Sequence, residues 1–96
     1  MILSDRSIRE AVAAGRIIID PFDDACVQPS SVDLHLDPRF LVFRNHTMGL
    51  IDVRKDLSEL TEEVSFSEDN PFILHPGEFV LGSTSERVAI PDDLVA

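Results

Sequence analysis

Three histidines, one cysteine and 18 acidic residues are the groups in this 96-residue chain that could do chemistry. His35, His46 and His75 stand too far apart for a metal-ligand spacing. No His-x-Glu pairs with a Pro-Cys-x-x-Cys that would hold an activating zinc. His75 and Glu78 have a His-x-x-Glu spacing, but Pro76-Gly77 splits it, so no helix carries both on one face. Each histidine reads as a surface or strand residue before it reads as a ligand. Cys26, between Ala25 and Val27, reads as a small apolar filler rather than a nucleophile. As the only cysteine it forms no intrachain disulfide, which fits a reducing, cytoplasmic setting. The glycines at 15, 49, 77 and 82 are isolated, so no phosphate-cradling loop is present, and no serine sits in a nucleophile elbow.

Among the carboxylates Asp33 stands out. It follows Pro29-Ser30-Ser31 and takes the outward position of an alternating segment. Two roles are open. It could fix the preceding turn by accepting from Ser30 or Ser31, as Asx and Ser turns do. It could instead project into a site between subunits.

The charge balance narrows the partners. Against the acidic residues stand 8 Lys+Arg, for a net charge of −10. A polynucleotide binder needs clustered cations to displace counterions. Here Arg6, Arg9 and Arg16 are scattered and followed by Asp20, Asp23 and Asp24, which argues against a nucleic-acid polymer. With 44% hydrophobic and 27% charged residues the composition is that of a soluble globular protein. No run approaches the roughly 20 apolar residues of a membrane span, and Met1 to Asp5 lacks the start of a signal peptide.

The elements that must position these groups read as one helix followed by five or six short strands. Ser4 to Ala14 is the helix, with Ser4 as N-cap, Leu3 and Ile8 as a hydrophobic staple, and Gly15 as the left-handed residue that ends it. Ile17-Ile18-Ile19 is a short β-branched run, and Pro21 to Ser31 an ordered loop. Val32, Leu34 and Leu36 alternate with Asp33 and His35 as a half-buried strand. A turn at Asp37-Pro38 leads to a second strand over Arg39 to Phe43, giving a hairpin. Between Asn45 and Glu68 a short strand at Ile51 and Val53 and an acidic excursion over Asp56 to Val64 are expected. Although Leu57, Leu60 and Val64 have helical spacing, the excursion is the favoured reading. Phe72 to Leu74 and Phe79 to Ser83 form a hairpin about Pro76-Gly77, a pair suited to a type II turn. Glu86 to Ile90 is the last complete strand, and Pro91-Asp92-Asp93 a turn. An apolar run then opens at Leu94-Val95-Ala96, the pattern expected of the N-terminal part of a longer protein truncated before its catalytic segment. The sum is a single, mainly β domain over 1–96, a barrel or sandwich with incomplete sheets.

Several segments together resemble the dCTP deaminases of the trimeric dUTPase superfamily. They are Met1-Ile2-Leu3-Ser4-Asp5, the helix leading to Gly15-Arg16, Ile19-Asp20-Pro21-Phe22, Val27 to Leu36 (VQPSSVDLHL) and Leu74 to Thr84 (LHPGEFVLGST). The likeness runs from Met1 to Ala96 in order and spacing, weakest across Arg44 to Asn70. The wording of Asp20 to Asp24 and of Gln28 to Ser31 is closest to the bifunctional branch, which carries dCTP through to dUMP.

The resemblance implies a distorted jelly-roll barrel of the dUTPase-like, β-clip type, assembled as a homotrimer with active sites between subunits. It implies a hydrolytic, zinc-free deamination in which a glutamate activates water for attack on C4 of cytosine, with magnesium accompanying the triphosphate. The family's Gly-x-x-Ser-Ser-x-x-x-Arg segment and its catalytic glutamate are expected beyond Ala96. No catalytic residue is therefore assigned in this numbering. Asp33, matching the acid of the first family motif on the phosphate side, is the one expected substrate-binding residue. The chain alone is expected to be inactive and to self-associate. Two alternatives remain: part of a dUTPase-type pyrophosphatase, or a non-catalytic assembly module pairing through open sheet edges.

Overall fold

A computed structural model describes residues 1–44, 50, 52–56 and 58–96. His46, Gly49, Ile51 and Leu57 lie outside the described residues, and with them the expected strand at Ile51 and part of the expected helical spacing. The fold is mainly β with one α-helix, the class expected from the sequence. Its elements are α1 (Asp5–Ala13), β1 (Ile18–Asp20), β2 (Leu36–Phe43), β3 (Thr61–Ser65), β4 (Val80–Thr84) and β5 (Arg87–Ala89). Two small sheets, ordered β1-β5 and β3-β2-β4, remain open. No helix among the described residues is long and apolar enough to cross a membrane.

The chain divides into two compact units, Met1–His35 with Thr84–Ala96, and Leu36–Ser83. In the first, the Ser4 side chain accepts the Ser7 N–H at the start of α1, and Gly15 at φ +74° follows its C-cap. Ile8 and Ala11 on α1 are buried, as is Ile17, whose N–H donates to the Ala11 carbonyl at 3.2 Å. β1 then pairs antiparallel with β5, setting Ile18 opposite Ala89 and Asp20 opposite Arg87. The Pro91-Asp92-Asp93 turn is closed by the Leu94 N–H on the Pro91 carbonyl at 3.1 Å, and the expected strand at Leu94 to Ala96 is absent.

The second unit departs most from expectation. β2 runs unbroken through Asp37-Pro38, so there is no turn there and no first hairpin. Proline is tolerated because it sits where the β2–β3 register ends: Arg39 faces Ser65, and the Pro38 carbonyl still accepts the Phe66 N–H at 2.9 Å. The expected acidic excursion is a 3-10 turn over Ser58–Leu60 followed by strand β3. Glu62 and Glu63 are exposed on that strand while Phe40 pairs with Val64, so the acids occupy solvent-facing positions of a genuine ladder. Phe72 to Leu74 is not a strand, although the turn beyond it forms as expected, with Gly77 at φ +82° and the Glu78 N–H on the His75 carbonyl at 3.1 Å.

Phe40 is the centre of this unit. It is buried and stacks on Phe66 at 5.0 Å between ring centroids, with Phe72 tilted against it at 4.9 Å. Gly82 on β4 lies so close that a Cβ there would meet Phe40 Cε1 at 2.7 Å. The ring is boxed by its two neighbours and cannot swing away. Gly82→Ala is expected to lower unfolding stability by about 1–3 kcal/mol, the usual cost of overpacking. An unchanged denaturation midpoint would show that the ring has room to shift.

Candidate functional site

Cys26, Asp33 and His35 lie in the first unit, on the loop between β1 and β2, whereas His75 and Glu78 lie in the second. Asp23 caps a 3-10 turn over Asp24–Cys26 by accepting the Ala25 N–H at 3.0 Å. The chain then folds into a narrow finger. Val27 and Val32 form an antiparallel bridge, the Gln28 N–H donates to the Ser31 carbonyl at 2.8 Å, and the Asp33 N–H donates to the Cys26 carbonyl at 2.9 Å. Pro29 and Ser30 are the tip. The Pro29 carbonyl accepts the Asp5 N–H at 2.8 Å, satisfying a donor at the open end of α1. Arg9 reaches from α1 to Asp24 at 2.8 Å and to Asp5 at 2.9 Å, tying the helix to the same loop.

Asp33 is exposed, and its carboxylate accepts from the Gln28 side-chain amide at 3.0 Å. The expected donors, Ser30 and Ser31, are not the ones used. Across the finger Asp33 is the diagonal neighbour of Gln28, a span that a long amide side chain covers and a serine hydroxyl does not. Asp33 nevertheless anchors this turn, the first of the two roles its position allows. The segment Val32 to His35 is not the half-buried strand expected from its alternation, since Leu34 and Leu36 are 39% and 60% exposed. The Asp33 and His35 amides donate to separate partners, a loop carbonyl and a side chain, rather than to one continuous ladder.

The most important of those partners carries no mark in the sequence. Glu86, in the bend between β4 and β5, is a buried acid: its side chain is 6% exposed, against 68% for His35. Its two oxygens accept the His35 backbone N–H at 2.9 and 3.1 Å, and Oε1 lies 2.5 Å from His35 Nδ1. An ionised carboxylate only accepts, so the ring carries its proton on Nδ1. The Ser85 N–H donates to the His35 carbonyl at 2.8 Å, and the Thr84 hydroxyl to the Glu86 carbonyl at 2.8 Å. His35 is thereby held at both its N–H and its C=O. No sequence period marks this pair, whose members stand 51 residues apart.

Asp23, Asp33, His35 and Glu86 border a concavity of about 220 Å³ whose walls include Ile19, Phe22, Cys26 and Val32. Its electrostatics are acidic. Burial pushes the Cys26 thiol up, and Asp23, Asp33 and Glu86 push it the same way, which disfavours the nucleophilic thiolate. The hydrogen bond to Glu86, and then its charge, raises His35 above the ordinary imidazole value; Asp23 and Asp33 add smaller pushes. Glu86 is lowered, first by the His35 ring and then by the His35 N–H. A bare phosphate would be repelled by this rim, whereas a polyphosphate that carries its own cation would not. Among the described residues no group of three or more His, Cys, Asp or Glu side chains could hold a metal ion by itself. The His75 and Glu78 spacing serves a turn: the Glu78 carboxylate accepts the His75 N–H at 3.2 Å.

The Glu86–His35 pair has a defined pH signature. With its folded pKa raised, His35 contributes stability in full below the free imidazole value of about 6.5 and loses it as pH rises through the folded value. With its folded pKa lowered, Glu86 contributes above the free carboxyl value of about 4.3 and loses it as pH falls through the folded value. The pair is therefore at full strength between about pH 4.3 and 6.5. In an NMR titration the His35 ring is expected to have its midpoint above about 6.5, returning towards that value in Glu86→Gln. A midpoint unmoved by that substitution would contradict the pairing.

The chain matches the model of the dCTP deaminase-like family over residues 2–96. It is 55% identical over 96 residues to a protein of Beutenbergia cavernae named dCTP deaminase, dUMP-forming, covering 100% of this chain and 50% of the relative. Proteins of the same name from Acidothermus cellulolyticus and Rhodococcus opacus are 56% and 57% identical over 94 residues, 98% of this chain and 49% and 50% of theirs. The chain thus spans about half the length of these relatives. It belongs to the dCTP deaminase-like family.

Proposed function

We propose that this chain is the N-terminal portion of a dCTP deaminase that carries dCTP through to dUMP, with hydrolytic loss of ammonia from the cytosine ring. The observation that carries this reading is identity of 55% across the whole chain to a relative of that name. In this reading Asp33 faces the phosphate side of the nucleotide and meets the magnesium that arrives with it. Its exposure on the rim of the concavity and its fixed backbone support that role. The catalytic glutamate and the serine and arginine of the family's nucleotide-binding segment belong to the other half of the protein, and zinc has no part in the reaction. The setting is cytoplasmic.

The full-length protein is proposed to be a homotrimer of jelly-roll barrels with sites between subunits. The exposed apolar side chains of the second unit support this, Leu36, Ile73 and Phe79 being 60%, 67% and 62% exposed. Surfaces of that kind are covered in a finished assembly. The chain by itself is accordingly proposed to self-associate, which sedimentation across concentrations would read; a single compact monomer would count against it.

Activity separates the alternatives. With dCTP and magnesium the full-length protein is expected to release ammonia and form dUMP, whereas the 96-residue chain releases none above background, because a general base must be positioned beside the bound ring. Turnover by the pure chain would show that the catalytic group lies within it. Hydrolysis of dUTP by the full-length protein with no release of ammonia from dCTP would instead identify a dUTPase.

A further inference from the structure

Glu86 poses a question that stability does not answer. A carboxylate whose side chain is 6% exposed must be partnered, and an apolar residue of similar volume often serves a core as well or better. What an apolar side chain cannot supply is a two-oxygen acceptor for a backbone N–H. The N–H it accepts belongs to His35, at the end of the short strap that begins at Val32. Asp33 lies two residues earlier, with its own N–H on the Cys26 carbonyl. The strap is therefore pinned on both sides of Leu34, and the far pin is Glu86. Glu86 is itself well founded: Thr84 holds its carbonyl, and the next residue, Arg87, pairs with Asp20 in the β1–β5 ladder.

We propose that Glu86 is a positioning residue for nucleotide binding, holding the Val32–His35 strap through His35 so that Asp33 meets the magnesium-bound phosphates at a fixed angle. The inference rests on the reading of Asp33 as a phosphate-side contact. Its chemistry requires an acceptor that is charged, buried and anchored in a sheet, and Glu86 is all three. An exposed acid would trade its bond to His35 for water, and the strap would lose its second pin.

The test is a double-mutant cycle in the full-length deaminase, with magnesium-dCTP as the probe and KM and kcat read separately. Asp33→Asn is expected to raise KM by roughly tenfold, the loss of a charge-assisted contact. Glu86→Gln keeps an oxygen for the His35 N–H but loses the charge, and is expected to raise KM about fivefold with kcat held. The double variant is expected to be no worse than Asp33→Asn alone, because Glu86 acts only through Asp33. If Glu86→Gln leaves KM unchanged, or its effect multiplies in full onto that of Asp33→Asn, the positioning role is overturned while the reading of Asp33 stands. If Asp33→Asn itself leaves KM unchanged, the reading of Asp33 falls and the inference with it. Should Glu86→Gln not fold, Glu86→Asp takes its place in the cycle. It keeps the charge but shortens the reach by one methylene, and the same KM changes support or overturn the role.

Discussion

A buried carboxylate must find donors, and much of the first unit is arranged around the donors that Glu86 finds. Its two oxygens take the His35 N–H and the His35 ring, and the neighbouring Ser85 N–H takes the His35 carbonyl. These bonds fasten the end of the β1–β2 loop to the bend before β5, which is paired with β1. The loop is also fastened to α1, by Arg9 on Asp24 near its start and by the Pro29 carbonyl, at the finger tip, on the Asp5 N–H. A loop rich in turn formers is thus held near both ends and at the tip of the finger that carries Asp33. Removing the His35 contacts would leave the Glu86 carboxylate buried without a mate, which is why the charge is structural here as well as electrostatic.

The parts of the fold legible in the sequence are those written in local chemistry. The cap at Ser4, the stop at Gly15 and the turn at Pro76-Gly77 each follow from residues within a few positions of one another. What misleads are patterns whose meaning depends on a distant partner. Pro38 looks like a turn until the β3 register shows that the ladder ends where its missing N–H would fall. Asp56 to Val64 looks like an acidic excursion until β2 lies beside β3 and Glu62 and Glu63 prove to be exposed members of a ladder. Asp33 is legible through its family motif, but its partner Gln28 is not, because the serines beside it look like the nearer donors. Glu86 is not legible at all, since a single glutamate at the start of an alternating run carries no mark of burial.

The second unit obeys a different constraint. Its buried centre is small, with Phe40 and Leu60 as its buried apolar residues among those described, and Phe40 is held in a ring cluster rather than under a second layer. Phe79 is 62% exposed although its ring lies 5.4 Å from that of Phe43. A sheet face with so much uncovered apolar surface fits a protein whose relatives are about twice as long as this chain. The acidic concavity and the family membership point the same way. In the proposed reading this portion supplies the scaffold and Asp33 as a phosphate-side acid, and the deamination chemistry is assigned to the other half.

The central claim is that Glu86 holds the strap bearing Asp33, and amide hydrogen exchange at His35 tests it most directly. The His35 N–H is not in a regular ladder, so its protection can come only from the Glu86 carboxylate. If Glu86 is the pin, this amide exchanges far more slowly than that of Ser30 at the finger tip, and Glu86→Gln speeds it selectively. Exchange at His35 as fast as in an unstructured peptide would contradict the claim.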